Sequence, residues 1–254
     1  MDRDERRRLA DANVVARFDL TRERVADPRG GTARFGAVEV VAIGVDAPYF
    51  NGVFAGDRAT TPQDVATAVA WVDARGLPVS VRLHEDAGPD LRAAVEDMGL
   101  VAHSLLLPVM ALEPLRPPPP PPPELVIRTG GVELHDDFHV ALESSDVIRR
   151  VFGRTLVADA AVRVAVGYLD GEPVSSGAAI RSEATVGLYA VATIERARRR
   201  GIGRAVSWAA IEAGRSAWGG TIAVLQSSDV GVPVYRSMGF EEVTAYFLYA
   251  RPTT

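Results

Sequence analysis

The chain contains no cysteine. That excludes disulfides, thiolate metal sites and any cysteine nucleophile of its own. It also lacks an apolar run near the ~20 residues that a membrane-spanning helix needs. Histidine is scarce, at four residues, and basic residues are outnumbered, giving a net charge of −5. A general nucleic-acid binder would carry the opposite balance. The charged opening, Asp2 to Arg8, does not read as a secretion signal, so a cytoplasmic protein is expected. What remains is a 254-residue chain, 47% apolar and 24% charged, with room for one large or two ordinary globular domains.

Pro117 to Pro123 is an unbroken run of seven prolines. Such a run belongs inside neither helix nor sheet and reads as a semi-rigid polyproline spacer of about 3 Å per residue. Recruitment of a proline-binding partner is the alternative use. The expected division is a domain at 1–115, a linker at 116–123 and a second domain at 124–254. The halves share an order of elements. Val79 to Leu83 reads as a strand, Asp90 to Asp97 as a short helix, then come Met98-Gly99-Leu100 and a strand reaching Met110. In the second half Thr221 to Leu225, Pro233 to Ser237, Met238-Gly239-Phe240 and a strand through Tyr246 to Tyr249 repeat that order. Two copies of one α+β unit are expected, with coincidence as the competing account.

The run Arg198-Arg199-Arg200-Gly201-Ile202-Gly203-Arg204 breaks two local rules. From Arg204 to Trp218, apolar residues recur at three- and four-residue spacing, and Gly219-Gly220 supplies the stop. A helix N-terminus favours acidic neighbours. Here Arg196, Arg198, Arg199, Arg200 and Arg204 crowd it, and glycines at helical positions cost about 1 kcal/mol each relative to alanine. A polyanion held by free backbone amides and arginines resolves both anomalies; a solvated basic turn is the bland reading. Upstream, Val162 to Tyr168, the turn Asp170-Gly171, Val174 to Ile180 and Val186 to Thr193 read as three antiparallel strands. The first half has no such turn, and its Val95 stands where the second half has Tyr235. A dinucleotide-binding fingerprint fails, because Val206 occupies its third glycine position.

On these residues the chain resembles the GCN5-related N-acetyltransferase (GNAT) superfamily. Arg198-x-x-Gly201-x-Gly203 after the strand Tyr189 to Thr193 is similar to that superfamily's acetyl-CoA motif. Val234-Tyr235-Arg236-Ser237-Met238-Gly239-Phe240 resembles its closing tyrosine and Gly-Phe signature. The likeness covers Glu124 to Arg251. The first half, with Pro48 to Phe54, looks like the degenerate N-terminal copy of tandem members.

The resemblance implies an α+β fold of two tandem acyl-CoA N-acyltransferase domains, each a mostly antiparallel mixed sheet flanked by helices. It implies acetyl-CoA as co-substrate, no metal, and direct acetyl transfer to a primary amine in a ternary complex. Backbone from Arg199, Arg200, Gly201, Ile202, Gly203 and Arg204, with Arg198, would take the pyrophosphate. Val191, Ala192 and Thr193 would face the pantetheine arm and acetyl carbonyl, and Ser228 stands where many members bind pantetheine with asparagine. Tyr235 would be the general acid at sulfur, by proton transfer or by hydrogen bonding alone. The strand Val186 to Thr193 holds no carboxylate, so a water relay, Glu143 or Asp146 is left as base. The competing function is a non-catalytic acyl-CoA-binding regulator. The expected partner is a small-molecule or peptide amine, with no nucleic acid and no membrane, and a sheet edge could support a homodimer. His135 and His139, at i, i+4 beside Asp136 and Asp137, read as a solvated helix start rather than a metal site. His84 and His103 stand alone, Asp2 to Asp11 reads as an exposed helix, and Tyr49, Phe50, Tyr246, Phe247 and Tyr249 read as packing residues.

Overall fold

The computed structural model describes residues 1–252, with the side chains of 103–105 outside the description; His103 is among these. The strands are β1 (Gly31–Phe35), β2 (Val38–Ala42), β3 (Asn51–Ala55), β4 (Ser80–His84), β5 (Val101–Leu112), β6 (Val126–Gly130), β7 (Val162–Leu169), β8 (Glu172–Ser182), β9 (Thr185–Thr193), β10 (Ile222–Gln226) and β11 (Glu241–Ala250). The helices are α1 (Arg3–Val25), α2 (Pro62–Asp73), α3 (Pro89–Asp97), α4 (His135–Ala141), α5 (Asp146–Val151), α6 (Arg154–Val157), α7 (Ile202–Trp218) and α8 (Val232–Met238). This is an α+β fold with mixed, mostly antiparallel sheets and flanking helices.

Two compact units form, each from two stretches of chain. One comprises Met1–Arg17 with Met110–Val243, the other Phe18–Val109 with Thr244–Thr254. The proline run therefore lies inside the first unit, close to a crossing point of the chain. Pro117 to Pro121 are exposed and outside helix and strand, as the absence of proline N–H groups dictates.

In the second unit, strand order is β1-β2-β3-β4-β11. The β1–β2, β2–β3 and β4–β11 pairs are antiparallel, and β3–β4 is parallel, with α2 as the crossover. Val65, Ala68, Val69 and Val72 of α2 recur at helical spacing and are buried on the sheet with Val53, Val81 and Leu83. Val95 of α3 is fully buried in the same core. Arg82 is 1% exposed; its guanidinium lies over the rings of Phe18, Tyr49 and Phe54, and it donates to Ser80 Oγ and the Tyr49 carbonyl. Tyr49, Phe50, Tyr246 and Tyr249 thus serve packing.

In the first unit the order is β10-β9-β8-β7-β6. β6 to β9 form an antiparallel meander, and β9–β10 is parallel across α7. Asp170 and Gly171, both at positive φ, make the β7–β8 turn. Val206, Ala210 and Ile211 of α7 are buried against Ala165, Val174, Ala179, Val186 and Leu188. The acidic-basic segment expected as an exposed helix is the start of the longer α1, and one face of it is buried through Leu9, Ala10, Asn13 and Val14. Asn13 donates to Thr185 Oγ1 and the Ile180 carbonyl and accepts from the Tyr189 hydroxyl. Periodicity alone did not show this, because charged residues share that face.

Candidate functional site

β9 and β10 stay paired over only three positions, ending at Val224↔Gly187. Beyond it, Leu188 to Thr193 run on without β10, and a gap opens between parallel strands. A bulge shapes the same segment. Ser176 pairs with Ala192 and Ala178 with Tyr189, so Ala190 and Val191 together oppose Gly177. Ala190 takes φ +50°, uncommon for a residue with a Cβ. Ser176 Oγ donates to the Ala190 carbonyl at 3.0 Å and Ser175 Oγ to the Ala192 carbonyl at 2.7 Å, fixing the bulged backbone. The bulge resets the strand alternation. Leu188 and then Val191 pack on the α7 core, and Thr193 Oγ1 lies at the foot of α7. Ser175 and Ser176 escaped sequence reading; two adjacent hydroxyls in an otherwise small apolar strand were the available signal.

The glycine turn follows. Arg199 (φ +61°) and Gly201 (φ +76°) are left-handed, and Gly201 caps α7 without any side-chain hydrogen bond. The first turn of α7 holds no acidic residue. Among the described residues, the amides of Arg199 to Arg204 have no backbone acceptor, and the first return bond is Ala205 N–H to the Gly201 carbonyl at 3.0 Å. Six backbone donors without an internal acceptor therefore lie at or beside the positive end of a 17-residue helix. A Cβ on Gly203 would sit 2.9 Å from Thr193 Oγ1, so only glycine lets the helix approach this close.

The arginines divide their work. Arg196 pairs with Glu172 at 2.5 Å, Arg200 with Glu124 at 2.9 Å, and Arg198 Nε donates to the Thr193 carbonyl at 2.8 Å. Arg199 and Arg204 are exposed and form no ion pair among the described residues. Part of the cluster is thus engaged within the protein, which leaves Arg199, Arg204 and the backbone amides of the turn as its open groups.

Tyr235 lies on α8, next along the chain after β10. Its ring is half-buried, stacked edge-on with Phe240 at 5.8 Å, and packed on the α7 core. Among the described residues nothing hydrogen-bonds its hydroxyl. Burial pushes the phenol up to about 12, so it holds its proton throughout the neutral range. Ser228 is exposed, and its carbonyl accepts from Gly231 and Val232 N–H at the start of α8. Glu143 (φ +51°), on the α4–α5 connection, and Asp146, the first residue of α5, are both exposed. His139 is fully buried between Ser144 Oγ and the Phe152 carbonyl, and His135 binds Asp136, which pairs with Arg154. Both rings have structural partners, and among the described residues no group of three or more metal-ligating side chains forms. No described helix is long and apolar enough to cross a membrane.

Residues 131–240, which hold the bulged strand, the glycine turn and Tyr235, match the model of the Acetyltransferase (GNAT) family. The chain as a whole shares its fold with solved structures of the GNAT kind. A GCN5-related N-acetyltransferase from Kribbella flavida matches with TM-score 0.73 at 20% identity, over 96% of both chains. A tandem GNAT protein from the clavulanic acid biosynthesis pathway matches with TM-score 0.64 at 14% identity, over 99% of this chain and 97% of that one. A GCN5-related N-acetyltransferase from Sphaerobacter thermophilus gives 0.62 at 18%, over 85% and 77%. Likeness at these identities is a likeness of fold, the mixed and mostly antiparallel α+β fold described above. No curated protein matches the chain by sequence.

Proposed function

We propose that this protein is an N-acetyltransferase that moves an acetyl group from acetyl-CoA to a primary amine by direct attack in a ternary complex. One observation carries the reading: six amides without internal acceptors sit at an uncapped helix N-terminus, beside the point where two parallel strands cease to pair. That combination suits a ligand with a diphosphate at one end and an extended arm. The residues fit acetyl-CoA on this ground, and the glycine at 203 lets the helix end pack close to Thr193 Oγ1.

In this reading the amides of Arg199 to Arg204 hold the pyrophosphate, with Arg199 and Arg204 free to lie along its oxygens. The backbone of Val191, Ala192 and Thr193 lines the gap, and an amide of the bulged stretch polarises the acetyl carbonyl. Acetyl-CoA supplies the activated acetyl group. As the amine nitrogen bonds to the carbonyl carbon and the carbon–sulfur bond breaks, Tyr235 donates a hydrogen bond to the departing sulfur. With its phenol near 12 against a thiol of about 8.5, complete proton transfer would be uphill by roughly 5 kcal/mol. Tyr235 therefore acts as a hydrogen-bond donor. β9 bears no carboxylate, so the amine must arrive neutral or lose its proton to water. The rate should then climb with pH toward the acceptor's own pKa.

The missing carboxylate also favours a second reading, a coenzyme-binding regulator without turnover. The test is acetyl-CoA turnover with a panel of primary amines, together with calorimetric binding. Turnover that falls in Tyr235→Phe supports the enzyme. Tight binding with no turnover supports the regulator, and no binding by the folded protein removes both. The unit of Phe18–Val109 with Thr244–Thr254 is, on this proposal, a copy without a coenzyme site.

A further inference from the structure

We propose that the proline run is a docking surface, taken up by a partner protein through a groove lined with aromatic rings and flanked by a carboxylate. A spacer between domains would join the two compact units, but the run lies wholly within one of them. Pro117 to Pro123 are outside helix and strand, and six of the seven are exposed. Proline fixes its own φ and pushes the residue before it into the extended region. Consecutive prolines therefore continue as a polyproline helix of three residues per turn.

Both ends of this rod are fixed to one core. Leu112 and Leu115 pack on the α7 core before it, and Leu125 is buried in the same core after it. Leu125 N–H donates to the Pro122 carbonyl at 3.0 Å. The threefold period gives the rod three edges. Pro119 and Pro122 share the one that meets the protein, at the half-buried Pro122, whose Cγ lies 4.0 Å from where a Cβ of Gly201 would stand. Pro117 with Pro120, and Pro118 with Pro121, form the other two, and all four are exposed. Two adjacent proline edges are what an aromatic-lined groove receives, and the entropy of ordering this rod has already been met in folding. Charge sets the flank. Glu113 faces the Met1 ammonium at 3.5 Å and Glu124 pairs with Arg200 at 2.9 Å, so both acids beside the run are engaged. Arg116, next to the first proline, is exposed and forms no ion pair among the described residues. The rod thus offers one open cation at its N-terminal end, which an acid beside the groove would meet.

The experiment measures, by fluorescence anisotropy, binding of the full chain to a labelled WW domain of the class that selects proline runs flanked by arginine. It is compared with a variant carrying Pro117→Ala, Pro118→Ala, Pro120→Ala and Pro121→Ala together, with Arg116→Glu, and with a free peptide of residues 113–125. Wild type should bind saturably, and at least as tightly as the peptide, because its rod is already ordered. The fourfold variant should lose binding, and Arg116→Glu should bind about tenfold more weakly. Arg116 is exposed, so its variant decides the matter should the fourfold variant fail to melt cooperatively. No binding by wild type, whether or not the peptide binds, would overturn the proposal and leave the rod as a strut. Binding that survives the four proline changes, or that is indifferent to Arg116→Glu, would overturn it as well.

Discussion

Each unit contains a parallel strand pair joined through a helix, β3–α2–β4 in one and β9–α7–β10 in the other, and the two crossovers finish their helices in opposite ways. At α2, Thr61 accepts from Asp64 N–H while the Asp64 carboxylate accepts from Thr61 N–H, Pro62 opens the helix, and Asp57 accepts from Ala59 N–H in the preceding turn. The donors at that end are met from within, and an acidic side chain sits on the helix dipole. At α7 a left-handed glycine caps the helix, the first turn has no acid, and the amides are left open. The strands differ in the same sense. β3 is paired with β4 to its last residue, Ala55↔Leu83, whereas β9 extends six residues beyond its last β10 partner. The same topology thus gives a crossover with its helix end closed in one unit and one with its amides left open in the other. The difference lies in a few side chains at one helix end and in a strand bulge.

This contrast can be broken most severely at Gly203. Gly203→Glu places a side chain 2.9 Å from Thr193 Oγ1 and a negative charge at the helix end. Acetyl-CoA affinity should fall more than about 100-fold by calorimetry, since sterics and charge act together. Next in size, Tyr235→Phe should lower kcat on the order of 10-fold to 100-fold while the acetyl-CoA Kd stays within about 3-fold, the signature of a contact made as the bond breaks. An unchanged kcat would assign Tyr235 to packing with Phe240 alone.

In the closed crossover, Thr61→Ala should cost about 1 kcal/mol of stability in denaturant melts without altering acetyl-CoA binding. A loss of binding there would show that the second unit takes part in the coenzyme site. The smallest effects concern pH. Burial lowers the His139 pKa, so its folded state resists a proton that the unfolded chain accepts. Stability should be full above about 6.5 and decline as pH falls through that range. Tyr235 is shifted the other way, so its contribution is full below about 10 and is lost between about 10 and 12. Denaturant melts across pH, with Tyr235→Phe flattening the alkaline limb, check both.

Much of the site was legible in the sequence because its elements are local. The glycines of the turn, the arginine excess where an acid belongs, and the spacing of α7 are all properties of neighbouring residues, and each lies where expected. Tyr235 and its Gly-Phe sequel were legible as a motif. What escaped were consequences of partners distant in the chain: Ser175 and Ser176 bonding the β9 carbonyls, Arg196 and Arg200 neutralised by Glu172 and Glu124, and Asn13 of α1 reaching Tyr189. The exchange of the two chain ends between units was likewise hidden, since no local pattern in α1 or β11 names the sheet that it joins.

By itself, then, the sequence determined the strands β7 to β10 and the helix α7 between β9 and β10, where that helix end is left uncapped, and which residue types crowd it. Hydrophobic period, turn chemistry and capping are short-range and are written in consecutive residues. Only the tertiary structure decided that β9 and β10 part after three pairs and that the bulge at Ala190 turns Val191 and Thr193 toward α7. Those outcomes depend on register and on which distant groups meet, and the free energy that sets them is shared across the whole packed unit.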